Sequence, residues 1–195
     1  MRTAYIGMGS NLPSPAGPPE ATMAAAAARL QSLGRVAARS SLYSTAPVGF
    51  AAQPNFLNAV IALETDLTPF ELLGAVLPIE QEFGRNRAFN LVNGPRTLDL
   101  DILLFGDFVI GGSSLIIPHA SLASRAFVLV PLHEIAPQAV DPRSGNTIAQ
   151  LLQSLIPRPG KETNAVVQIE SDLWRSGASG SGTGPASAAN SLPPR

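Results

Sequence analysis

The chain contains no cysteine. That excludes disulfides, thiolate metal sites and a cysteine nucleophile. It also lacks an excess of positive charge: 13 Lys and Arg stand against 14 Asp and Glu, a formal net charge of −1, with a sequence pI near 6.1. No bulk positive field is available to hold nucleic acid or an anionic membrane. Small anionic ligands stay open, because they need only a local cluster of arginines. No uninterrupted apolar run approaches the ~20 residues that span a bilayer. The opening segment Met1-Arg2-Thr3-Ala4-Tyr5-Ile6-Gly7 has no apolar core of the secretory kind. No internal repeat is visible. These absences predict a cytoplasmic protein acting on small molecules, without nucleic-acid or membrane partners.

What is present fits one folded unit. The 195 residues are 45% hydrophobic, enough for a single domain with a real core and too few for two comfortable ones. Residues 3–8, 36–44 and 55–65 read as strands. Ala24 to Leu33 is helix-prone, with Pro18 and Pro19 before it and Gly34 after. Thr68-Pro69-Phe70-Glu71 opens a second helix with a capping box, and that helix runs to Phe83 and stops at Gly84. Residues 85–97 show no period and read as a long lid-like loop. Residues 98–105 form a buried strand, and Gly106-Asp107 is a hairpin turn into Phe108-Val109-Ile110. Residues 121–136 are partly helical, and Thr147 to Leu155 is a short amphipathic helix. The order β-α-β-β-α-β predicts an α+β fold: a ferredoxin-like, largely antiparallel sheet with helices packed on its faces in α-β-α layers. The domain is expected over residues 1–175. From Ser176 to Arg195 the Gly/Ser/Ala/Pro composition predicts a disordered tail.

The most informative triplet is Asp99-Leu100-Asp101. Alternation along a strand puts the two aspartates on one face, with Leu98, Leu100 and Ile102 on the other. Like charges so close call for a neutralising cation or proton. Carboxylate oxygens suit Mg²⁺, with water and substrate phosphates completing its shell, and two such ions can clamp a phosphoryl transfer. Arg85 and Arg87 open the adjacent loop, Arg96 closes it, and Arg125 follows later. Their planar forks match phosphate oxygens, and phosphoryl transfer asks mainly for charge neutralisation and alignment. Glu80 precedes the loop and can serve a ligand hydroxyl, an arginine or plain solvent. His119 follows Pro118 in a loop. Phe56 and Asn58 share a strand face, a pairing that suits a flat heterocycle, and Phe127 can supply a second wall. The residues by themselves leave two classes of reading open: a metal-dependent enzyme that transfers a phosphate-containing group from a nucleotide to a small molecule, and a non-catalytic binding module.

Several blocks narrow this. They are Tyr5-Ile6-Gly7-Met8-Gly9-Ser10-Asn11-Leu12, Tyr43-Ser44-Thr45-Ala46-Pro47, Gln53-Pro54-Asn55-Phe56-Leu57-Asn58-Ala59, Gly94-Pro95-Arg96-Thr97-Leu98-Asp99-Leu100-Asp101-Ile102 and Arg125-Ala126-Phe127-Val128-Leu129. Together they resemble the 6-hydroxymethyl-7,8-dihydropterin pyrophosphokinase family of folate biosynthesis, from Tyr5 to about Gln153. The resemblance implies transfer of diphosphate from ATP, the co-substrate, to a pterin hydroxymethyl group, by a protein read as a monomer. It implies two Mg²⁺ ions on Asp99 and Asp101, and it puts Arg85 and Arg96 on the transferring phosphates. It assigns Glu80, Arg87, Ile102, His119 and Arg125 to ATP, and Thr45, Ala46, Val48, Phe56, Asn58 and Phe127 to the pterin. Many members carry Arg-Trp where Val92-Asn93 stands here, and the lid is one residue longer, which predicts fewer contacts over the nucleotide.

Overall fold

Burial alternates along Arg2–Ser10, as expected of a strand with two different faces, and this segment is β1. The computed structural model describes residues 1–50, 52–86, 94–155 and 165–176. After β1 come α1 (Pro19–Leu30), β2 (Arg35–Arg39), β3 (Leu42–Thr45), β4 (Phe56–Thr65) and α2 (Pro69–Glu82). They are followed by β5 (Asp99–Phe105), β6 (Ile110–Gly111), β7 (Ile116–Ile117), α3 (Ala126–Ile135), α4 (Ile148–Ser154), β8 (Val166–Ile169) and α5 (Asp172–Ser176). The main sheet has six strands in the order β5-β1-β4-β3-β8, with β2 also paired to β4. Every pairing in it is antiparallel.

Local chemistry sets the helix starts. Thr68 accepts from the Glu71 N–H while the Glu71 side chain accepts from the Thr68 N–H, and Thr147 and Gln150 make the same reciprocal pair ahead of α4. After α1 a 3₁₀ turn (Gln31–Leu33) leads to Gly34. A Cβ at Gly34 would lie 2.2 Å from the Glu64 carbonyl oxygen, so only glycine lets the chain pass this close to β4.

The expected strand over 36–44 is two strands. Between them Ser40 donates its N–H to the Val60 carbonyl while its Oγ accepts from the Val60 N–H. A side chain thus takes one rung of the ladder, and the register on β4 shifts from Arg39↔Ile61 to Tyr43↔Asn58. The turn at Gly106 is present, with Phe108 N–H donating to the Phe105 carbonyl. The strand that follows it, β6, pairs with β7 instead of folding back on β5. β8 and α5 were absent from the sequence-based expectation. They extend the sheet beyond β3, and the protein's one tryptophan, Trp174, is buried there with Nε1 donating to the Ser40 carbonyl at 2.7 Å. Arg39 lies 3.5 Å from the Trp174 ring centroid, a cation–π contact.

Each sheet face has its own core. On one, Ala4, Ile6 and Met8 of β1 and Leu100 and Ile102 of β5 pack with Met23, Ala26 and Leu30 of α1 and Leu72, Val76 and Ile79 of α2. On the other, Val60, Leu103 and Leu104 pack with Val128, Leu129 and Leu132 of α3 and Ile148 and Leu151 of α4. Burying each such Leu, Ile or Val contributes about 1.5–3 kcal/mol. Among the described residues no helix is long and apolar enough to cross a membrane.

Candidate functional site

On the α3–α4 face, one end of the sheet is left uncovered. The cleft there encloses about 710 Å³, counting solvent at its mouth. Its floor is β1, between β5 and β4, which contributes Gly7 and Gly9 to this face. The register explains what flanks the floor. Gly9 pairs with Asn58 on one side and Asp99 on the other; Gly7 pairs with Val60 and Asp101. Asn58 and Asp99 are therefore two strand spacings apart, about 10 Å, with no side chain between them.

The β4 side of the cleft is aromatic and amide. Phe56 and Asn58 are both buried and both line it, as the alternation predicted. Asn58 Nδ2 donates to Thr45 Oγ1 at 2.8 Å, which fixes the direction of the carboxamide. Thr45, Ala46, Val48, Phe127 and Arg125 complete this part of the lining. The Arg125 guanidinium carbon lies 5.5 Å from the Phe127 ring centroid.

The β5 side is charged. Asp99 and Asp101 line the cleft together with Arg96. Burial pushes the Asp101 carboxyl upward, and the Asp99 charge adds to this; His119, Arg85 and Arg96 act in the opposite direction. Arg85 Nη1 donates to Asp99 Oδ1 at 2.5 Å and to the Leu98 carbonyl at 2.7 Å. Arg96 Nε is 3.3 Å from Asp99 Oδ2. The Nε atoms of both arginines are nonetheless buried donors that make no hydrogen bond. Arg96 brings a guanidinium charge to the cleft lining, and Arg85 stands behind it on Asp99, an arrangement that suits an anionic ligand. A crowded carboxylate pair suits a dication equally well.

Among the described residues, Glu80, Arg85, Ile102 and His119 do not line the cleft, and Arg85 reaches it only through Asp99. Glu80 is 1% exposed on α2, behind β5. It accepts from the Leu100 N–H at 2.9 Å and stands 3.6 Å from Arg85 Nη1, so it holds the strand and the arginine in place. The Ile102 side chain is buried in the core beneath the helices, on the sheet face opposite the aspartates. His119 runs beside β5, its N–H donating to the Leu103 carbonyl and its Nδ1 accepting from Ser121 N–H. Arg87 and the Val92-Asn93 pair lie outside the described residues, as does the tail beyond Ser176, which itself closes α5. Sequence reasoning also passed over Ser10 and Asn11 at the end of β1. Both are buried, and Ser10 Oγ donates to the Thr97 carbonyl at 2.6 Å. Two small polar residues directly after an apolar strand were the available signal.

Comparisons with known proteins identify the family. The 7,8-dihydro-6-hydroxymethylpterin-pyrophosphokinase (HPPK) family matches residues 5–137. The chain is 44% identical over 152 residues to the 2-amino-4-hydroxy-6-hydroxymethyldihydropteridine pyrophosphokinase of Pseudomonas aeruginosa, covering 78% of this chain and 91% of that protein. It is 42% identical over 159 residues to the protein of that name from Methylorubrum extorquens, covering 80% and 96%. Among solved structures, wild-type Plasmodium falciparum HPPK-DHPS superposes with a TM-score of 0.62 at 15% identity, covering 80% of this chain. This chain spans 45% of that longer one, and at such identity the likeness is one of fold.

Proposed function

The chain belongs to the 7,8-dihydro-6-hydroxymethylpterin-pyrophosphokinase family, and from that premise we propose that it transfers diphosphate from ATP to 6-hydroxymethyl-7,8-dihydropterin, giving AMP and the pterin diphosphate in folate biosynthesis. One observation carries the reading: a single cleft holds an aromatic–amide wall on β4 and a carboxylate–arginine wall on β5, whose backbones lie two strand spacings, about 10 Å, apart on either side of Gly9. That separation suits a flat heterocycle whose exocyclic hydroxyl reaches toward bound phosphates.

The chemistry divides between the two walls. Phe56 and Phe127 enclose the pterin ring, and Asn58 with the backbone near Thr45, Ala46 and Val48 reads its edge. The substrate hydroxyl oxygen forms a bond to the β-phosphorus, the bond from that phosphorus to the α–β bridging oxygen breaks, and AMP leaves. The hydroxyl proton passes to water, and we name no side chain among the described residues as its base. Arg85 and Arg96 bind the transferring phosphates and hold the charge that spreads as the bonds exchange. The guanidinium charge that Arg96 brings to the cleft, with Arg85 held on Asp99 behind it, supports this role. Arg87, His119, Arg125, Glu80 and Ile102 belong to the ATP side, with Glu80 acting through Arg85 and Ile102 through its backbone alone. Asp99 and Asp101 would hold two Mg²⁺ ions, which supply charge neutralisation and alignment of the phosphates.

The same reading takes residues 1–175 as one catalytic domain of a cytoplasmic monomer. The strand order, with α1 and α2 on one face and α3 and α4 on the other, supports a ferredoxin-like layering.

The test is product analysis after mixing the protein with ATP, Mg²⁺ and 6-hydroxymethyl-7,8-dihydropterin. The expected result is AMP and diphosphorylated pterin in equal amounts, only in the complete mixture and abolished by EDTA. Folded protein that forms ADP, or no product at all, overturns the assignment.

A further inference from the structure

Asn11 lies at the end of β1 and is 2% exposed. Each polar atom of its carboxamide has a partner. Oδ1 accepts from the Arg96 N–H at 2.8 Å. Nδ2 donates to Gln53 Oε1 at 3.0 Å and to the Pro54 carbonyl at 3.0 Å. The backbone N–H groups of Asn11 and Leu12 both donate to the Arg96 carbonyl, at 3.0 and 3.1 Å. Asn11 thus grips the Arg96 residue through its N–H and its carbonyl alike. The same side chain anchors the loop that carries Ala46 and Val48 and runs into Phe56.

Neither end of this bridge belongs to a helix or strand. Arg96 precedes β5, and Gln53 and Pro54 precede β4. The sheet register therefore does not fix their separation, and the buried amide does. The Arg96 guanidinium carbon lies 5.0 Å from the Phe56 ring centroid, so the two walls meet where Asn11 holds them. Gln53 Nε2 also donates to the Phe50 carbonyl at 2.7 Å, which carries the anchorage further into the loop.

We propose that Asn11 is a positioning residue that couples the acceptor-side loop to the phosphate-side Arg96, so that each ligand tightens the binding of the other. This rests on the pyrophosphokinase reading of the cleft. A ligand seated against Ala46 and Val48 sets the Gln53 and Pro54 acceptors; Asn11 then holds the Arg96 backbone in one place, and the arginine meets the phosphates with less freedom left to lose. Linkage requires the effect to be reciprocal.

The experiment is calorimetric titration of an ATP analogue with a methylene α–β bridge, with Mg²⁺, in the absence and presence of saturating 6-hydroxymethyl-7,8-dihydropterin. Wild type, Asn11→Ala and Gln53→Ala are compared. In wild type the pterin is expected to tighten the analogue, and the analogue the pterin, by the same factor. In Asn11→Ala that factor falls by about tenfold, within the usual range of coupling between sites. Gln53→Ala leaves Asn11 in place and loses a smaller part of the coupling. Its affinity for the analogue alone is unchanged, which a general loss of structure would not produce. Should Asn11→Ala fail to fold by Trp174 fluorescence, Gln53→Ala carries the test. Wild-type coupling retained in the folded variants overturns the proposal, as does independent binding in wild type. AMP formation by the wild-type sample with unmodified ATP separates these outcomes from failure of the pyrophosphokinase reading itself.

Discussion

On the α1–α2 face of the sheet, β1 contributes Ala4, Ile6 and Met8, and the neighbouring β5 contributes Leu100 and Ile102. On the opposite face the same two strands contribute Gly7, Gly9, Asp99 and Asp101. Alternation sends consecutive residues to environments with opposite demands. The helix-covered face is filled to the density of a protein interior. The cleft face is left open at Gly9, while Gly7 makes room for the Leu103 side chain; it is charged at one wall and aromatic at the other. Stability and ligand chemistry are thus separated across a single strand thickness, and substitutions on the two faces should fail in different ways.

The largest effect is expected at the charged wall. Asp101→Asn should lower AMP formation by about 10²–10³-fold, the usual cost of losing a central electrostatic group. The thermal midpoint of the unliganded protein should hold or rise, because burial and the Asp99 charge already disfavour the ionised Asp101 carboxyl. A clear fall in melting temperature would erase the distinction between the faces. Leu72→Ala probes the other side. Leu72 is fully buried against the sheet, so its truncation should cost about 2–5 kcal/mol in urea denaturation. The KM values for ATP and pterin, measured well below the melting range, should stay as in wild type; a selective rise in one would show that the helix-side core reaches the site.

A smaller effect lies at the seam between β3 and α3. Tyr43 donates its hydroxyl to Glu134 Oε2 at 2.9 Å, and Glu134 also accepts from the Ser41 N–H and hydroxyl. Burial, reinforced by Glu134, pushes the Tyr43 hydroxyl from its ordinary 10.0 up to about 12. The folded value is raised above the unfolded one. The associated stability is therefore complete below pH ~10 and lost as pH rises through about 12. Tyr43→Phe should flatten the decline of melting temperature between these limits and cost about 1 kcal/mol at pH 8. Superimposable wild-type and variant profiles would remove Tyr43 from the account.

Features governed by a few adjacent residues were legible in the sequence. The capping box at Thr68 was readable because it needs only residues three apart. The shared face of Asp99 and Asp101, and of Phe56 and Asn58, followed from strand alternation. Features governed by distant partners were not legible. The break between β2 and β3 depends on Ser40 Oγ substituting for a backbone rung on β4. The partner of β6 depends on β7, and β8 is a strand because β3 offers it an open edge. Glu80 read equally well as a ligand contact or a surface group; only packing put it behind β5, between Leu100 and Arg85.

The sequence by itself determined the chemistry available to this protein: no thiol, no basic field, two carboxylates on one face, arginines around them, and an aromatic beside an amide. These depend on residue type and on the two-residue period of a strand, which are local properties. Tertiary structure alone decided that Asn58, Gly9 and Asp99 form one row and that Asn11 reaches both walls of the cleft. The physical reason is register: it is set by pairing between segments far apart in the chain and by burial of the opposite face, and no local pattern encodes which residues end up side by side.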